Sequence, residues 1–198
     1  MKDVVRLIIV AVGGQGNLLA ARVLGEAALA QGVDVHMSEI HGMAQRGGVV
    51  ESAVVFGKAD SSIISDSEAD VLLGFEPGET LRALARAKPG ALVITSTSPL
   101  PPFTAAIGKG VYPEPAQVLE LIRQKVGRVV AVDARALANQ AGSPLAQNMV
   151  LLGALARTES VPVGRDAMRK AIETGTKAAF LEMNLKAFDL GYEAAGGQ

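Results

Sequence analysis

The chain has 198 residues, 49% of them apolar and 20% charged, with a net charge of −1, which is the profile of a globular protein with room for a real core. No basic excess marks a nucleic-acid or anionic-membrane partner. Cysteine is absent and there are two histidines, His36 and His41, so disulfides, a thiol nucleophile, an ordinary cysteine-held iron–sulfur cluster and a histidine-rich metal site are all excluded for this chain.

Val5 to Val12 is an almost unbroken β-branched run, the pattern of a strand covered on both faces. It is too short to cross a bilayer and lacks the features of a signal peptide, so a buried first strand and a cytoplasmic protein are expected. Gly13-Gly14-Gln15-Gly16 follows, then a Leu- and Ala-rich helix from Asn17 to Gln31 ended by Gly32. Val33 to Ser38 reads as a second strand, completing a βαβ opening with a right-handed crossover. Further strands are predicted at Val49–Phe56, Ala69–Phe75, Ala91–Thr97 and Arg128–Val132. Helices are predicted from Pro77 through Ala87 and from Pro115 to Lys125. Lys88-Pro89-Gly90 reads as a turn, and Ser98–Pro102, with three prolines, as an irregular loop. Four helices then follow at Ala134–Ala141, Leu145–Ala156, Arg165–Thr174 and Lys177–Tyr192, with a frayed end from Ala194 to Gln198. The expected architecture is α/β: a Rossmann-like, mostly parallel sheet flanked by helices, with a helical C-terminal part.

The glycine loop is the first candidate site. Glycines let a backbone approach a ligand, and the free amides and dipole of a helix start favour an anion. Gly14 and Gly16 fill the first two positions of a dinucleotide fingerprint, but Leu19 fills the third, and the acidic residue expected after the second strand could be Glu39. The same residues suit a plain strand-to-helix turn. The second candidate is Ser38–Gly48, SEIHGMAQRGG, which crowds Glu39, His41, Gln45 and Arg46 among three glycines. Arg46 could present its guanidinium to a carboxylate or phosphate, and His41 could titrate near neutrality. A surface loop bracing the glycine loop is the plainer reading. Two lesser features are Glu76, read as a helix-start carboxylate, and Asn148, read as a buried side chain bonded to a loop. No nucleophile–base pair follows from the spacing.

In this order, the strand–GGQG–helix start, SEIHGMAQRGG and Gly74-Phe75-Glu76-Pro77 resemble the beta subunits of indolepyruvate:ferredoxin oxidoreductases. They are similar, more distantly, to the gamma subunits or domains of pyruvate and 2-oxoglutarate ferredoxin oxidoreductases. HGMAQRGG is the specific part, and the resemblance runs from about Arg6 to Gly191. It implies one gamma-type domain over residues 1–198, inactive alone. A large partner subunit would carry thiamine diphosphate, magnesium and iron–sulfur clusters, and the complex would convert an aryl 2-oxoacid and CoA to the acyl-CoA while reducing ferredoxin. Contacts of this chain with cofactor or CoA would come from Gly13, Gly14, Gln15, Gly16, Asn17, Glu39, His41, Gln45 and Arg46. Asn17 departs from the small apolar residue expected of the family, and a helix-capping role would account for it. Self-association without the partner is a further expectation, given the low charge. The competing reading is a stand-alone nucleotide-binding or regulatory α/β module without catalysis.

Overall fold

The computed structural model describes residues 4–41, 48–101 and 110–197, with the His41 side chain excepted. Six strands form one sheet in the order β2-β3-β1-β4-β5-β6. They are β1 (Val4–Val12), β2 (Val35–His41), β3 (Val49–Gly57), β4 (Ala69–Gly74), β5 (Ala87–Ser96) and β6 (Arg128–Val132). β4 is parallel to β1, β5 to β4 and β6 to β5. β3 runs against both of its neighbours, β1 and β2.

The βαβ opening is present, with a difference: β2 points the same way as β1, but β3 lies between them. Burial explains the order. Ser52 to Phe56 of β3 are buried on both faces, whereas β2 exposes His36, Met37, Glu39 and Ile40. A strand with polar side chains on both faces belongs at an edge, and the doubly apolar one belongs inside.

Among the described residues seven α-helices cover the sheet: α1 (Asn17–Ala30), α2 (Pro77–Arg82), α3 (Pro115–Lys125), α4 (Ala134–Ala141), α5 (Gln147–Thr158), α6 (Arg165–Gly175) and α7 (Ala178–Ala195). Alternate residues of β1 feed opposite cores, as the two-residue strand period requires. Leu7 and Ile9 pack with Leu24, Met149, Leu152 and Phe188 on one face, while Ile8 and Val10 pack with Leu84, Val118 and Ile122 on the other. Among the described residues no helix is long and apolar enough to cross a membrane.

Three sequence expectations shift. The second strand starts later than expected, at Val35, and runs to His41, so the first part of SEIHG is strand. Lys88-Pro89-Gly90 lies within β5 as an irregularity, the register passing from Ala69–Ala87 to Val71–Leu92 with Gly90 at φ 78°. The C-terminal end is not frayed at Ala194: α7 continues to Ala195, which is buried against the core.

Candidate functional site

After β1 the chain turns to one face of the sheet, through α1, and after β4 to the other, through α2. The C-terminal ends of these two adjacent strands therefore form a switch point, where open α/β sheets bind ligands. A cleft of about 260 Å³ lies there. Gly13, Gly14 and Gln15 form one wall, Ser98 to Leu100 a second, and Arg135, Leu145 and Gln147 close it.

The glycine loop is built by its backbone. Gly14 and Gly16 have φ of 98° and 82°, a region that costs other residues strain. A Cβ on Gly16 would sit 2.5 Å from Asn148 Nδ2, which donates to the Gly16 carbonyl at 3.3 Å. The expectation for Asn148 thus holds. A Cβ on Gly14 would meet nothing, so its surroundings are open. Gly16 precedes α1, which has no side-chain cap and no acidic residue in its first turn, so the positive end of its dipole is uncompensated there.

Gln15 is turned inward. Its Oε1 accepts from Val12 N at 2.8 Å and its Nε2 donates to the Phe75 carbonyl at 3.2 Å, tying the end of β1 to the end of β4. Asn17 is the first helical residue and makes no cap. Its Nδ2 donates to Val50 O at 3.3 Å, while its buried Oδ1 has no hydrogen-bond partner among the described residues. Capping therefore does not account for Asn17; anchoring α1 to β3 does. Gly48 touches the loop as well, accepting from Gly13 N at 2.8 Å.

The remaining candidates are dispersed. Glu39 is exposed on edge strand β2 and does not line the cleft. His41 pairs with Val50 in the sheet. Gln45 and Arg46 lie outside the described residues.

Arg135, Ser98 and Leu100 were not singled out by the sequence, although each lies just beyond the C-terminal end of a parallel strand, the position that could have flagged it. Their wall is pinned. Ser98 Oγ donates to Asp133 at 2.6 Å, and the same Oδ1 accepts from Ala136 N at 3.0 Å, capping α4. Glu76, only 1% exposed, accepts from Leu100 N at 3.3 Å, from Glu79 N at 2.9 Å and from the Tyr112 hydroxyl. It caps α2, in line with the sequence reading, and also clamps the cleft wall. Burial, and then the bond to Glu76, push the Tyr112 phenol well above its usual value.

The arrangement can receive an anion at the α1 start beside Arg135, but it offers no nucleophile–base pair. Among the described residues no cluster of three or more acidic or imidazole side chains suits a metal ion, and the chain supplies no thiolate for a cluster. An iron–sulfur cluster does not fit this chain, and the described residues offer no magnesium site of their own.

The chain is 39% identical to the indolepyruvate oxidoreductase subunit IorB of Pyrococcus horikoshii, over 96% of this chain and 95% of that protein. It is 29% identical to the pyruvate/ketoisovalerate oxidoreductases common subunit gamma of Thermococcus kodakarensis, over 88% of each. Among solved structures, the keto/oxoacid ferredoxin oxidoreductase gamma subunit of Geobacter sulfurreducens superimposes with a TM-score of 0.72 at 26% identity, covering 98% of this chain and 99% of that one. The model of the family described as pyruvate ferredoxin/flavodoxin oxidoreductase matches residues 6–194, and the chain belongs to that family.

Proposed function

We propose that this chain is the small subunit of a thiamine-dependent 2-oxoacid:ferredoxin oxidoreductase acting on indolepyruvate or a related aryl pyruvate. The observation that carries the reading is near full-length likeness to an indolepyruvate oxidoreductase subunit at 39% identity, against 29% for a pyruvate/ketoisovalerate subunit. Oxidative decarboxylation and electron transfer to ferredoxin are chemistry of the large subunit's thiamine diphosphate, magnesium and clusters, with CoA taking the acyl group. This chain, as one gamma-type unit in the cytoplasm, completes the assembly. Its glycine loop, Gly13 to Asn17, offers backbone amides and a helix dipole at the strand ends; His41, Gln45 and Arg46 are proposed to contact the partner or CoA in the complex, whereas Glu39, on the outer edge at β2, is not.

Co-expression with the large subunit tests this. The two chains should copurify, and the complex should reduce ferredoxin with indolepyruvate and CoA in preference to pyruvate or 2-oxoglutarate. Turnover by the small chain alone, or failure to copurify, overturns the reading and leaves a stand-alone module. Arg46→Ala then separates two roles. A partner contact predicts weaker assembly with an unchanged KM for CoA, and a CoA contact predicts normal assembly with a raised KM.

A further inference from the structure

A second cleft, of about 430 Å³, opens between α1, the start of α5 and the start of α7. Leu19, Leu145, Phe180 and Met183 give it an apolar floor, and Lys177 stands at its rim. It adjoins the glycine-loop cleft. Leu145 lines both, and Asn148, in the wall of the second, is bonded to Gly16 of the loop. Leu145 is 77% exposed and Phe180 53%, which is far more than burial in the core would leave. The charge is one-sided. Among the described residues Arg135 and Lys177 line the two clefts and no acidic residue does, although the whole chain carries 20 acidic against 19 basic residues. α1 and α7 also both begin here without side-chain caps or acidic first turns, adding positive dipole ends.

We infer that this joined groove is where the large subunit docks, inserting a segment that carries a carboxylate beside large apolar side chains. The inference rests on the small-subunit reading above. The apolar floor takes the anchor side chains, while Arg135, Lys177 and the helix starts face the acid. Buried apolar anchors supply most of the affinity of an interface, and the charges set its orientation and association rate.

The test uses the co-expressed complex. Leu145→Ser with Phe180→Ser should weaken assembly by roughly tenfold or more. Both side chains are exposed, so the melting temperature of the isolated variant should stay within a degree or two of wild type. Arg135→Glu with Lys177→Glu should slow association and reduce its salt dependence. As a comparison, Ile40→Ser with Ile63→Ser alters exposed apolar residues on the sheet face near β2, away from the groove. Groove variants that assemble with wild-type affinity overturn the inference, as does a loss of assembly confined to the Ile40/Ile63 variant. If the isolated chain is a dimer that the Leu145/Phe180 variant dissociates, the occupant is a second copy and the proposed partner segment is wrong. Absence of any complex with the wild-type chain refutes the small-subunit reading instead.

Discussion

A carboxylate as shielded as that of Glu76 is tolerated because all its nearby donors converge on it: Leu100 N, Glu79 N and the Tyr112 hydroxyl. This clamp links the end of β4 to both sides of the proline-rich connection, and it has a pH signature. The Tyr112 phenol is held above its usual value by burial and by Glu76. In the unfolded chain it ionises at about pH 10. Above that pH the unfolded state releases a proton that the folded state retains, so this contribution is complete below about pH 10 and is lost as pH rises toward the folded value. Urea midpoints should therefore fall above about pH 10, and Tyr112→Phe should flatten the fall. A tyrosinate absorbance that appears in the folded protein near pH 10 and vanishes in Tyr112→Phe would contradict the assignment. The proline-rich loop and a helix-start role for Glu76 were both readable in the sequence. The clamp was not, because Tyr112 lies 36 residues away and only the sheet brings the two together.

At the scale of elements, α5 and α7 cross with their backbones in close contact. A Cβ on Gly153 would lie 1.9 Å from the Phe188 carbonyl oxygen, and one on Gly191 would lie 1.9 Å from that of Val150. Backbone cannot yield as a flexible side chain can, so Gly153→Ala or Gly191→Ala must push the helices apart. The expected loss is about 3 kcal/mol in urea unfolding. Gly127→Ala, where a Cβ meets nothing within 4 Å, should be neutral or slightly stabilising. A neutral Gly153→Ala would show that the two helices do not meet this closely. Helix positions were legible because their apolar period is strong, as in Arg165–Gly175 with Met168 and Ile172 buried. Strand order was not legible: β2 and β3 both read as strands next in line after α1, and the preference for β3 in the interior depends on which faces other elements cover. The bulge in β5 was hidden for a similar reason, since Lys-Pro-Gly signals a change of direction without saying whether the ladder resumes on the same strand.

At the scale of the whole molecule, the glycine loop was legible as a switch-point feature because its strand, loop and helix are contiguous. Its partners Arg135, Leu100 and Asn148 come from distant parts of the chain and needed the fold. Glu39 shows the converse. It belongs to the same βαβ opening as the loop, yet β3 intervenes and leaves it on the outer edge. A molecule so arranged has an anion-friendly cleft with no nucleophile–base pair among the described residues, and no cysteine for electron transfer. The isolated chain should therefore be colourless in the visible range and inactive with any 2-oxoacid and dye acceptor. Its stability should depend on assembly, because a partner that binds only the folded state raises the unfolding free energy by RT ln(1 + [L]/Kd). At a large-subunit concentration about 100 times Kd, that term is about 2.7 kcal/mol. Differential scanning calorimetry should show the small subunit's transition rising with large-subunit concentration, and the rise should shrink to about half or less in the Leu145→Ser, Phe180→Ser variant, where tenfold weaker binding leaves about 1.4 kcal/mol. A transition that ignores the partner would mean that the two chains do not meet through folded surfaces. A rise undiminished in the variant would leave the assembly intact and move its interface away from the groove.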